Sequence, residues 1–363
     1  MQKRLFYFLM DGFGCGETKD AHRFNDEGAY TSLHILQNYQ KLQASYLYEI
    51  GLFHCQENAS YCYPQNPNKD TFSCTQEMFG TIMGEFRTFP EGFPLSIVHN
   101  LESIIGSSLL GNIAISGTKI IKQLGEESFR TGSPIIYTSA DSVMQFAAHT
   151  DSFPLSRLYY LCEIACNMYC HDLPLGRVIA RPFKGDSSET FYRTDERKDF
   201  VYPIPSNTIL EQLQSSGVQI FCNRIFAEIF QNNSLQLIPA KTNDSLYSYF
   251  LQMLQKPPSG KLELHLINLE DFDMLYGHRR DVKGYGEELI KFGNILKEGV
   301  SNLHENDAIL ISADHGNDPT YHKHTDHTRE YTPYLWLQKY HIQTLDQPMP
   351  LSHIGQTIQA FFA

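Results

Sequence analysis

The chain has 363 residues, a length that favours two domains, each large enough to bury a hydrophobic core. Its net charge of -12 argues against nucleic acid or an anionic membrane as a partner, because both require a basic surface. No apolar run reaches the length of a membrane-spanning segment, and eight irregularly spaced cysteines indicate a reducing compartment rather than a disulfide scaffold.

The first predicted element is a strand over residues 5–10, where six apolar residues follow one another. A basic start and an apolar run also occur in signal peptides, but Asp11 ends this run early and no small-residue cleavage site follows. The strand therefore delivers the Asp11 carboxylate into the glycine-rich turn DGFG.

Residues 68–80, NKDTFSCTQEMFG, combine a polar loop with a helix that we predict to start near EMFG. Asp70 and Thr71 lie before that helix. A hydroxyl at a helix N-terminus most often caps the helix. The alternative is that Thr71 is a nucleophile, since a hydroxyl activated by a metal ion near a helix N-terminus can attack phosphorus. The local sequence leaves both interpretations open.

Two proline-rich segments, RTFPEGFP (87–94) and VYPIPSN (201–207), interrupt the periodic part of the chain. We interpret them as two hinge segments. Residues 88–204 are predicted to form an inserted mixed α/β cap domain, and residues 1–87 and 205–363 together form a discontinuous core domain.

Inside the predicted cap, Cys162, Cys166 and Cys170 repeat at a spacing of four residues. This spacing predicts the buried face of a helix, where free cysteines are common. A second metal site that includes His171 is the alternative.

Alternating leucines predict a strand over residues 262–266, and Asp271, Asp273 and His278 follow its end. Amphipathic patterns on either side of this strand predict helices. These helices cover residues 207–214, residues 285–303 and the C-terminal tail.

The apolar run 308–311 predicts a buried strand that ends at Asp314 and His315, and His322, His324, Asp326 and His327 follow. Carboxylates and imidazoles close together bind divalent cations through mixed oxygen and nitrogen ligands. Ligands of open parallel sheets bind beyond the carboxyl ends of the strands, so the acids that follow the three strands are expected to converge there. A solvated histidine-rich loop is the simpler interpretation of His322 and His324.

Eight sequence strings, taken in order, resemble the metal-dependent phosphopentomutase family of the alkaline phosphatase superfamily. They are FLMDGFGCG with DAHRFNDEGA, NKDT with EMFG, TFPEGFP, SGTKII, TGSPIIYTSADSVMQFAAH, ARPFKG with FYRTDERKDF, NLEDFDMLYGHRRDVKGY, and ADHGNDPT with TDHTREYTP. The resemblance implies an α/β fold: an alkaline-phosphatase-like core, whose central, mostly parallel sheet is sandwiched by helices, and a smaller inserted α/β cap domain.

The resemblance also implies a site for two divalent metal ions, manganese in this family. One ion would be held by Asp11, Asp314, His315 and the nucleophile Thr71. The other would be held by Asp273, His278 and His327, with a phosphate on Thr71 bridging to it. All of these residue types are present at the matching motif positions.

The activity implied by the resemblance is interconversion of (deoxy)ribose 1-phosphate and (deoxy)ribose 5-phosphate in nucleotide salvage. Thr71 would carry a phosphate, and a sugar bisphosphate would act as the activating primer. The partner is then a small pentose phosphate, with no nucleic acid and no membrane, and we expect a cytoplasmic monomer.

The cap residues would select the substrate. Ser139, Asp141 and Val143 match positions that contact the sugar in the family, and Arg181 and Arg197 match arginines that bind the distal phosphate. A planar guanidinium can bind two phosphate oxygens at once. Arg193, close to both in sequence, is a weaker candidate.

The sequence departs from the family pattern DTxxGHWE at Cys74, Thr75 and Gln76, which replace Gly, His and Trp. We expect these changes to reshape the turn beside Thr71. A metal-dependent phosphatase or another phosphoryl transferase of the same superfamily is therefore the alternative function. Near Cys222, Arg224 stands where the family has a lysine. A metal-binding sensor without catalysis is disfavoured, because all seven implied metal ligands are present.

Overall fold

The computed structural model describes residues 3–138, 142–170, 173–201, 207–257, 259–339 and 341–363. The chain divides into two compact units. The first unit comprises Met1–Met83 and Pro205–Ala363, and the second comprises Gly84–Ile204. Each unit is built around a sheet of its own.

The strands of both units are numbered here in chain order. They are β1 (Lys3–Leu9), β2 (Tyr61–Tyr63), β3 (Leu110–Ala114), β4 (Ile135–Thr138), β5 (Val143–His149), β6 (Arg177–Lys184), β7 (Tyr192–Arg193), β8 (Lys198–Val201), β9 (Gln219–Cys222), β10 (Gln236–Leu237), β11 (Leu262–Asn268), β12 (Asp307–Ser312), β13 (Thr332–Gln338), β14 (His341–Gln343) and β15 (Met349–Pro350).

The α-helices follow the same numbering. They are α1 (Thr31–Asn38), α2 (Tyr46–Glu49), α3 (Thr71–Met78), α4 (Leu95–Ile105), α5 (Gly117–Thr131), α6 (Leu155–Tyr169), α7 (Ile209–Ser215), α8 (Arg224–Phe230), α9 (Asn243–Gln255), α10 (Val282–Asn302) and α11 (His353–Phe362). Short 3-10 helices span Ala21–Phe24, Gln40–Ala44 and Leu52–His54, and a π-helical turn spans Phe272–Gly277.

The sheet of the first unit has the strand order β10-β9-β11-β1-β12-β13-β2-β15, with β14 beside β13. The five strands from β10 to β12 are parallel, and β13 is antiparallel to β12. The strands β1 and β12 are almost continuously apolar, as expected for parallel strands that are covered on both faces. The strands predicted over residues 5–10, 262–266 and 308–311 correspond to β1, β11 and β12.

Alternate residues of β1 pack on opposite faces of this sheet. Phe6 and Phe8 belong to a core that includes Phe250 of α9 and Phe292 of α10. Leu5, Tyr7 and Leu9 belong to a second core that includes residues of α7, α8 and α11. Burial of each large apolar side chain stabilises the fold by roughly 1.5–3 kcal/mol. Helices therefore cover both faces of a mostly parallel sheet, which confirms the predicted fold class.

The sheet of the second unit is mixed, with the order β3-β4-β5-β6-β7 and β8 beside β6. The pairs β3–β4 and β5–β6 are parallel, whereas β4–β5, β6–β7 and β6–β8 are antiparallel. Cys162, Cys166 and Cys170 are buried and pack in the core formed with α4 and α6. They occupy the buried helix face that their spacing predicts.

The helix α3 differs from the prediction. It begins at Thr71 and ends at Met78, so EMFG lies at its end and not at its start. The Asp70 side chain accepts a hydrogen bond from the backbone N–H of Ser73 and thereby caps the helix, and Gly80 follows the helix with a φ of +98°. Among the described helices, none is both long and apolar enough to cross a membrane.

Candidate metal centre

Three neighbouring parallel strands end at the same edge of the first sheet. The strand β1 lies between β11 and β12, and Asp11, Asp273 and Asp314 each follow the carboxyl end of one of them. Asp11 opens a turn in which the next residue, Gly12, has a φ of +74°. A Cβ atom on Gly12 would lie 3.0 Å from Asp273 Oδ1, so this turn requires glycine both for its backbone conformation and for the close approach of the second strand end.

Asp11, Asp314 and His315, which we call the first ligand group, are buried, with candidate ligand atoms within 4.8 Å of one another. His315 Nε2 lies 3.2 Å from Asp314 Oδ2 and 3.6 Å from Asp11 Oδ1. Thr71 Oγ1 lies 3.0 Å from His315 Nε2 and 3.4 Å from Asp11 Oδ1. The structure thus brings the threonine hydroxyl to the first ligand group.

Asp273, His278 and His327 form the second ligand group, whose candidate ligand atoms also lie within 4.8 Å of one another. Asp273 Oδ2 is 3.2 Å from His278 Nε2, and Asp273 Oδ1 is 3.5 Å from His327 Nε2. The ring of His327 stacks on the ring of His315, with 3.8 Å between centroids. The two ligand groups are therefore direct neighbours.

The first ligand group carries an electrostatic imbalance that a cation would remove. Burial, together with the nearby carboxylates of Asp314 and Asp273, raises the pKa of Asp11 well above its usual range. Asp314 Oδ2 is buried and accepts no hydrogen bond from any residue that the structure describes. Buried acids close together are stable only with a cation or with protons between them. Carboxylate oxygens and an imidazole nitrogen suit a divalent ion such as Mn²⁺, so the residues fit.

In the second ligand group, the negative charge of Asp273 is balanced by neighbouring histidines. Burial alone would raise the pKa of Asp273, but hydrogen bonds from His278 and His327 outweigh it and lower this pKa far below its usual range. Burial alone would lower the pKa of His327, but the hydrogen bond to Asp273 outweighs it and raises this pKa to about 9. In the metal-free protein a proton on His327 therefore partly takes the place of a metal ion.

Backbone carbonyl groups orient the imidazoles of the second group. The Nδ1 atom of His278 lies 2.9 Å from the carbonyl oxygen of Thr325, and that of His327 lies 3.0 Å from the carbonyl oxygen of Lys69. An Nδ1–H that donates to a carbonyl leaves Nε2 as the ligand atom. Both Nε2 atoms face Asp273.

Two asparagines that the sequence analysis missed hold the carboxylates. Asn268 Nδ2 donates to Asp11 Oδ2 at 2.8 Å, and Asn317 Nδ2 donates to Asp273 Oδ1 at 2.6 Å. Asn268 is the last residue of β11, and Asn317 follows the ADHG string. Their positions at strand ends beside predicted ligands were the available signal.

Thr71 is the first residue of α3, but it does not cap that helix. The cap is Asp70, whose Oδ1 accepts from Ser73 N at 3.0 Å and whose Oδ2 accepts from Ser73 Oγ at 2.9 Å. The interpretation of Thr71 as an N-cap is therefore wrong. Its hydroxyl instead contacts His315 and Asp11.

Residues 204–363 match the model of the Metalloenzyme superfamily. The chain is 39% identical over 348 residues to a phosphopentomutase of Caldanaerobacter subterraneus subsp. tengcongensis, which covers 92% of this chain and 87% of the relative. It is 38% identical over 376 residues to a phosphopentomutase of Dictyoglomus thermophilum, which covers 99% of this chain and 95% of the relative. The chain belongs to the phosphopentomutase family. It is an enzyme of the isomerase class.

A solved structure supports the fold of this phosphopentomutase family member. A phosphoglycerate mutase of Leishmania mexicana aligns with a TM-score of 0.52 at 14% identity, over 100% of this chain and 95% of that chain. At this identity the likeness concerns the fold alone.

The substitutions at Cys74, Thr75 and Gln76 lie inside α3 and not in a turn, which corrects the expectation that they reshape one. All three side chains are buried. Cys74 packs in the core beneath the sheet, and Gln76 Nε2 donates to the carbonyl oxygen of Ile229 at 3.0 Å. The substituted residues therefore belong to the packing of α3 in the core, and Gln76 contacts α8 directly.

The prediction that His322 and His324 lie in a solvated loop is correct for one of them and wrong for the other. His322 is exposed, as predicted. His324 is not a solvated side chain, because its Nε2 lies 2.6 Å from Oδ1 of the buried Asp26. Lys69 also pairs with Asp26, at 3.1 Å. A buried carboxylate requires such partners, and His324 is one of them.

The residues expected to bind substrate lie in the second unit. Ser139 and Asp141 are outside the described residues. Val143 is the first residue of β5 and is buried. The other two, Arg181 and Arg197, lie on β6 and just before β8.

Three arginines of the second unit, Arg181, Arg193 and Arg197, lie close enough for their charges to interact. Burial lowers the pKa of Arg181, and the positive charges of Arg197 and Arg193 lower it further. Arg181 Nε donates to Gln145 Oε1 at 3.2 Å, and Arg197 binds both carboxylate oxygens of Asp199, at 2.7 and 2.6 Å. Positive charges of several arginines in one region favour the binding of an anionic ligand.

Arg224, which stands where the family has a lysine, begins α8. Its Nε lies 2.5 Å from Glu228 Oε1 on the same helix, and its side chain is 82% exposed. An exposed pair at this spacing contributes little to stability.

Proposed function

We propose that this protein interconverts ribose or deoxyribose 1-phosphate with the corresponding 5-phosphate through a phosphate carried on Thr71. The observation that supports this most directly is the position of Thr71 Oγ1, 3.0 Å from His315 Nε2 and beside Asp11. The second ligand group adjoins the first through the stacked rings of His315 and His327. The hydroxyl thus lies beside two groups of residues that would each hold a cation in this proposal.

In this proposal Asp11, Asp314, His315 and Thr71 hold one divalent ion and Asp273, His278 and His327 hold another. Manganese is our choice for both ions, since mixed carboxylate and imidazole ligands suit it. The ions would supply charge neutralisation of the phosphoryl group and a lowered pKa for the threonine hydroxyl.

The chain itself would orient the phosphoryl group. Thr71 is the first residue of α3, so a phosphate on its oxygen would lie at the positive end of the helix dipole. Asp70 holds that first turn through Ser73 N. The buried first ligand group would keep water away from the Thr71 ester, which favours transfer over hydrolysis.

The proposed cycle starts with phosphorylated Thr71, which a sugar bisphosphate primer supplies. The Thr71 O–P bond breaks while an O–P bond forms on the free hydroxyl of the bound sugar monophosphate, which gives a bisphosphate. A phosphate then returns to Thr71 from the other carbon of the sugar. The net result is movement of the phosphate between C1 and C5, and the enzyme is phosphorylated again.

The second unit would bind the substrate as a cap. We assign the sugar to Val143, with Ser139 and Asp141, and the distal phosphate to Arg181 and Arg197. The closely spaced positive charges of the arginines support this assignment, since a guanidinium binds two phosphate oxygens at once. All eight cysteines are free thiols, which suits a reducing compartment, so we propose a cytoplasmic location. We also propose that the protein acts in nucleotide salvage and that it is a monomer.

A phosphatase or another phosphoryl transferase remains the second candidate because of the substitutions at Cys74, Thr75 and Gln76. Their burial inside α3 argues against it, since none of the three side chains is exposed to solvent.

One assay separates the candidates. The Mn²⁺-loaded protein receives ribose 1-phosphate and a sugar bisphosphate primer, and ribose 5-phosphate and free phosphate are followed together. We expect ribose 5-phosphate without release of phosphate. Release of free phosphate as ribose 1-phosphate is consumed would support the phosphatase. Absence of both ribose 5-phosphate and free phosphate would favour a binding protein.

Two variants test the nucleophile. Thr71→Ala should abolish turnover. Thr75→Val is the matched control, because it removes a hydroxyl one helical turn further along α3 that has no hydrogen-bond partner among the described residues. Continued turnover in Thr71→Ala would remove Thr71 from the mechanism.

A further inference from the structure

Arg280 lies two residues after His278, and its guanidinium connects three segments of the chain. Nη1 and Nη2 donate to five oxygens. These acceptors are Gly277 O at 2.9 Å, Asn317 Oδ1 at 2.6 Å and Asp318 O at 3.1 Å from Nη1, and His324 O at 2.5 Å and Asp326 O at 3.5 Å from Nη2. Four of the five acceptors belong to the segment that leads to His327.

The contact with Asn317 reaches Asp273. The Asn317 amide has its oxygen on Arg280 Nη1 and its Nδ2 on Asp273 Oδ1, 2.6 Å away in both cases. Arg280 therefore fixes which way this amide points. The amide in turn fixes the rotation of the Asp273 carboxylate, whose oxygens face His278 and His327.

The contacts with His324 and Asp326 reach the two histidines of the second ligand group. Asp326 immediately precedes His327, and Thr325, between the two acceptors, offers its carbonyl oxygen to His278 Nδ1. Displacement of this stretch of backbone would rotate both imidazoles. One guanidinium thus restrains all three members of the second group through their neighbours.

The backbone of Arg280 also indicates that its position is imposed. Its φ is +57°, in the left-handed region that residues with a side chain rarely adopt. Such a conformation persists when surrounding contacts fix it, and it is concentrated at functional sites. The hydrogen bond from Arg280 Nη1 back to Gly277 O closes the turn that carries His278.

We propose that Arg280 is a positioning residue for the second cation, which it serves by holding Asp273, His278 and His327 in the geometry that binds the ion. This inference rests on the two-cation site proposed above. Within the described part of the chain, the hydrogen bonds of Arg280 reach none of Asp11, Asp314 and His315. Its loss should therefore affect one of the two ions.

The test is a binding titration and does not depend on turnover. Wild-type protein freed of metal with a chelator is titrated with Mn²⁺, and free Mn²⁺ is measured by electron paramagnetic resonance. We expect two ions per chain. Arg280→Gln should bind one ion with unchanged affinity and the other about 10- to 100-fold more weakly, the usual effect of removing a group that orients metal ligands.

Two further variants make the test specific. Arg279→Gln is the matched control, since it makes the same chemical change at the preceding, exposed position and should bind both ions like the wild type. Arg280→Lys keeps the charge but cannot reproduce a planar fork with five acceptors, so it should weaken the same ion. It also serves if Arg280→Gln does not fold.

The outcomes are distinct. A wild-type protein that binds fewer than two ions would overturn the two-cation site itself. If the wild type binds two ions and both Arg280 variants bind them equally well, or if both ions weaken together with a lower melting temperature of the metal-free protein, Arg280 does not position the second ligand group.

Discussion

The capping residue Asp70 offers a direct test of how α3 presents Thr71. Asp70→Ala removes the acceptor of the Ser73 N–H and Ser73 Oγ hydrogen bonds, 3.0 and 2.9 Å long. Loss of a side-chain cap costs about 1 kcal/mol, and loss of a negative charge at a helix N-terminus costs about 0.3–1 kcal/mol. We expect the free energy of unfolding to decrease by roughly 1.5 kcal/mol in total.

The activity should decrease as well, because the first turn of α3 carries Thr71. A destabilisation of roughly 1.5 kcal/mol confined to this turn raises the population of its frayed form about tenfold. A hydroxyl displaced by about 1 Å can lose up to 10²-fold in rate. The decrease in kcat therefore has an upper limit of about tenfold, which is reached when the frayed form predominates, and the change in KM should be smaller.

Urea unfolding and the mutase assay measure the two effects. Asp70→Asn is the control, since asparagine caps as well as aspartate and loses only the charge. Ser73→Ala, which keeps the backbone donor, should cost less than Asp70→Ala. If Asp70→Asn loses as much stability and activity as Asp70→Ala, the charge of Asp70 matters and capping does not. An Asp70→Ala variant with unchanged stability and kcat would refute the reasoning altogether.

Three further predictions concern charge. Mn²⁺ at 100 times its Kd should stabilise the metal-free protein by about 2.7 kcal/mol per ion, as measured by thermal unfolding. Metal-free Asp314→Asn should be more stable than the metal-free wild type, because Asp314 Oδ2 is buried without a hydrogen-bond donor among the described residues, and it should gain less stability from Mn²⁺. Since the pKa of His327 is raised to about 9, metal binding near pH 7 should release a proton and tighten as pH rises, which calorimetry in buffers of different ionisation enthalpy will detect. Burial lowers the pKa of His265, which stacks between Phe6 and Phe221, so as pH falls the unfolded chain is protonated at this residue before the folded chain. The free energy of unfolding should therefore decrease as pH drops below 6.5, and it should decrease less in His265→Phe. Urea unfolding at pH 7 and pH 5 measures both effects.

The strands that carry the site could be predicted because their signal is local. The strands β1 and β12 are nearly continuous apolar runs, and each is followed directly by acids. Parallel strands of one sheet end at the same edge, so the convergence of Asp11 and Asp314 could be expected once the sheet was predicted to be parallel. The family resemblance then supplied which of the nearby polar residues belong to each ligand group.

The residues that orient the ligands could not be predicted in this way. Asn268 and Asn317 are ordinary polar residues in sequence, and their partners, Asp11 and Asp273, lie 257 and 44 residues away. His324 looked solvated because Asp26 is 298 residues distant. Hydrogen bonds of this kind depend on the finished fold.

The start of the helix α3 was predicted wrongly, near EMFG instead of at Thr71, for a different reason. The string DTFS carries its own start signal, since aspartate is one of the preferred N-cap residues and its side chain accepts a hydrogen bond from the backbone N–H two or three residues further on. Thr71 is also a preferred N-cap type, so two adjacent residues carry the same signal and the sequence does not distinguish between them. The chemistry of the first turn is therefore set by two adjacent residues, one that caps the helix and one whose hydroxyl stays available.

The stretch from Lys69 to Thr71 contacts both ligand groups. The carbonyl oxygen of Lys69 lies 3.0 Å from His327 Nδ1, and Thr71 Oγ1 lies 3.0 Å from His315 Nε2. A movement of the loop before α3 would shift the nucleophile and a ligand of the second group together. The position of this loop is therefore as important to the site as the ligands.

Glu77 fixes that loop from the far end of α3. Its buried carboxylate accepts hydrogen bonds from the backbone N–H groups of Gln65 and Asn66 and from Asn66 Nδ2, at 2.6–3.0 Å. Glu77 is also the final residue of the family pattern DTxxGHWE, and it is retained here while the three residues before it are not. Glu77 holds the loop and Asp70 holds the first turn, so the main contacts that fix Thr71 are made by residues outside the three substituted positions. The departure from the pattern is thus compatible with an intact nucleophile.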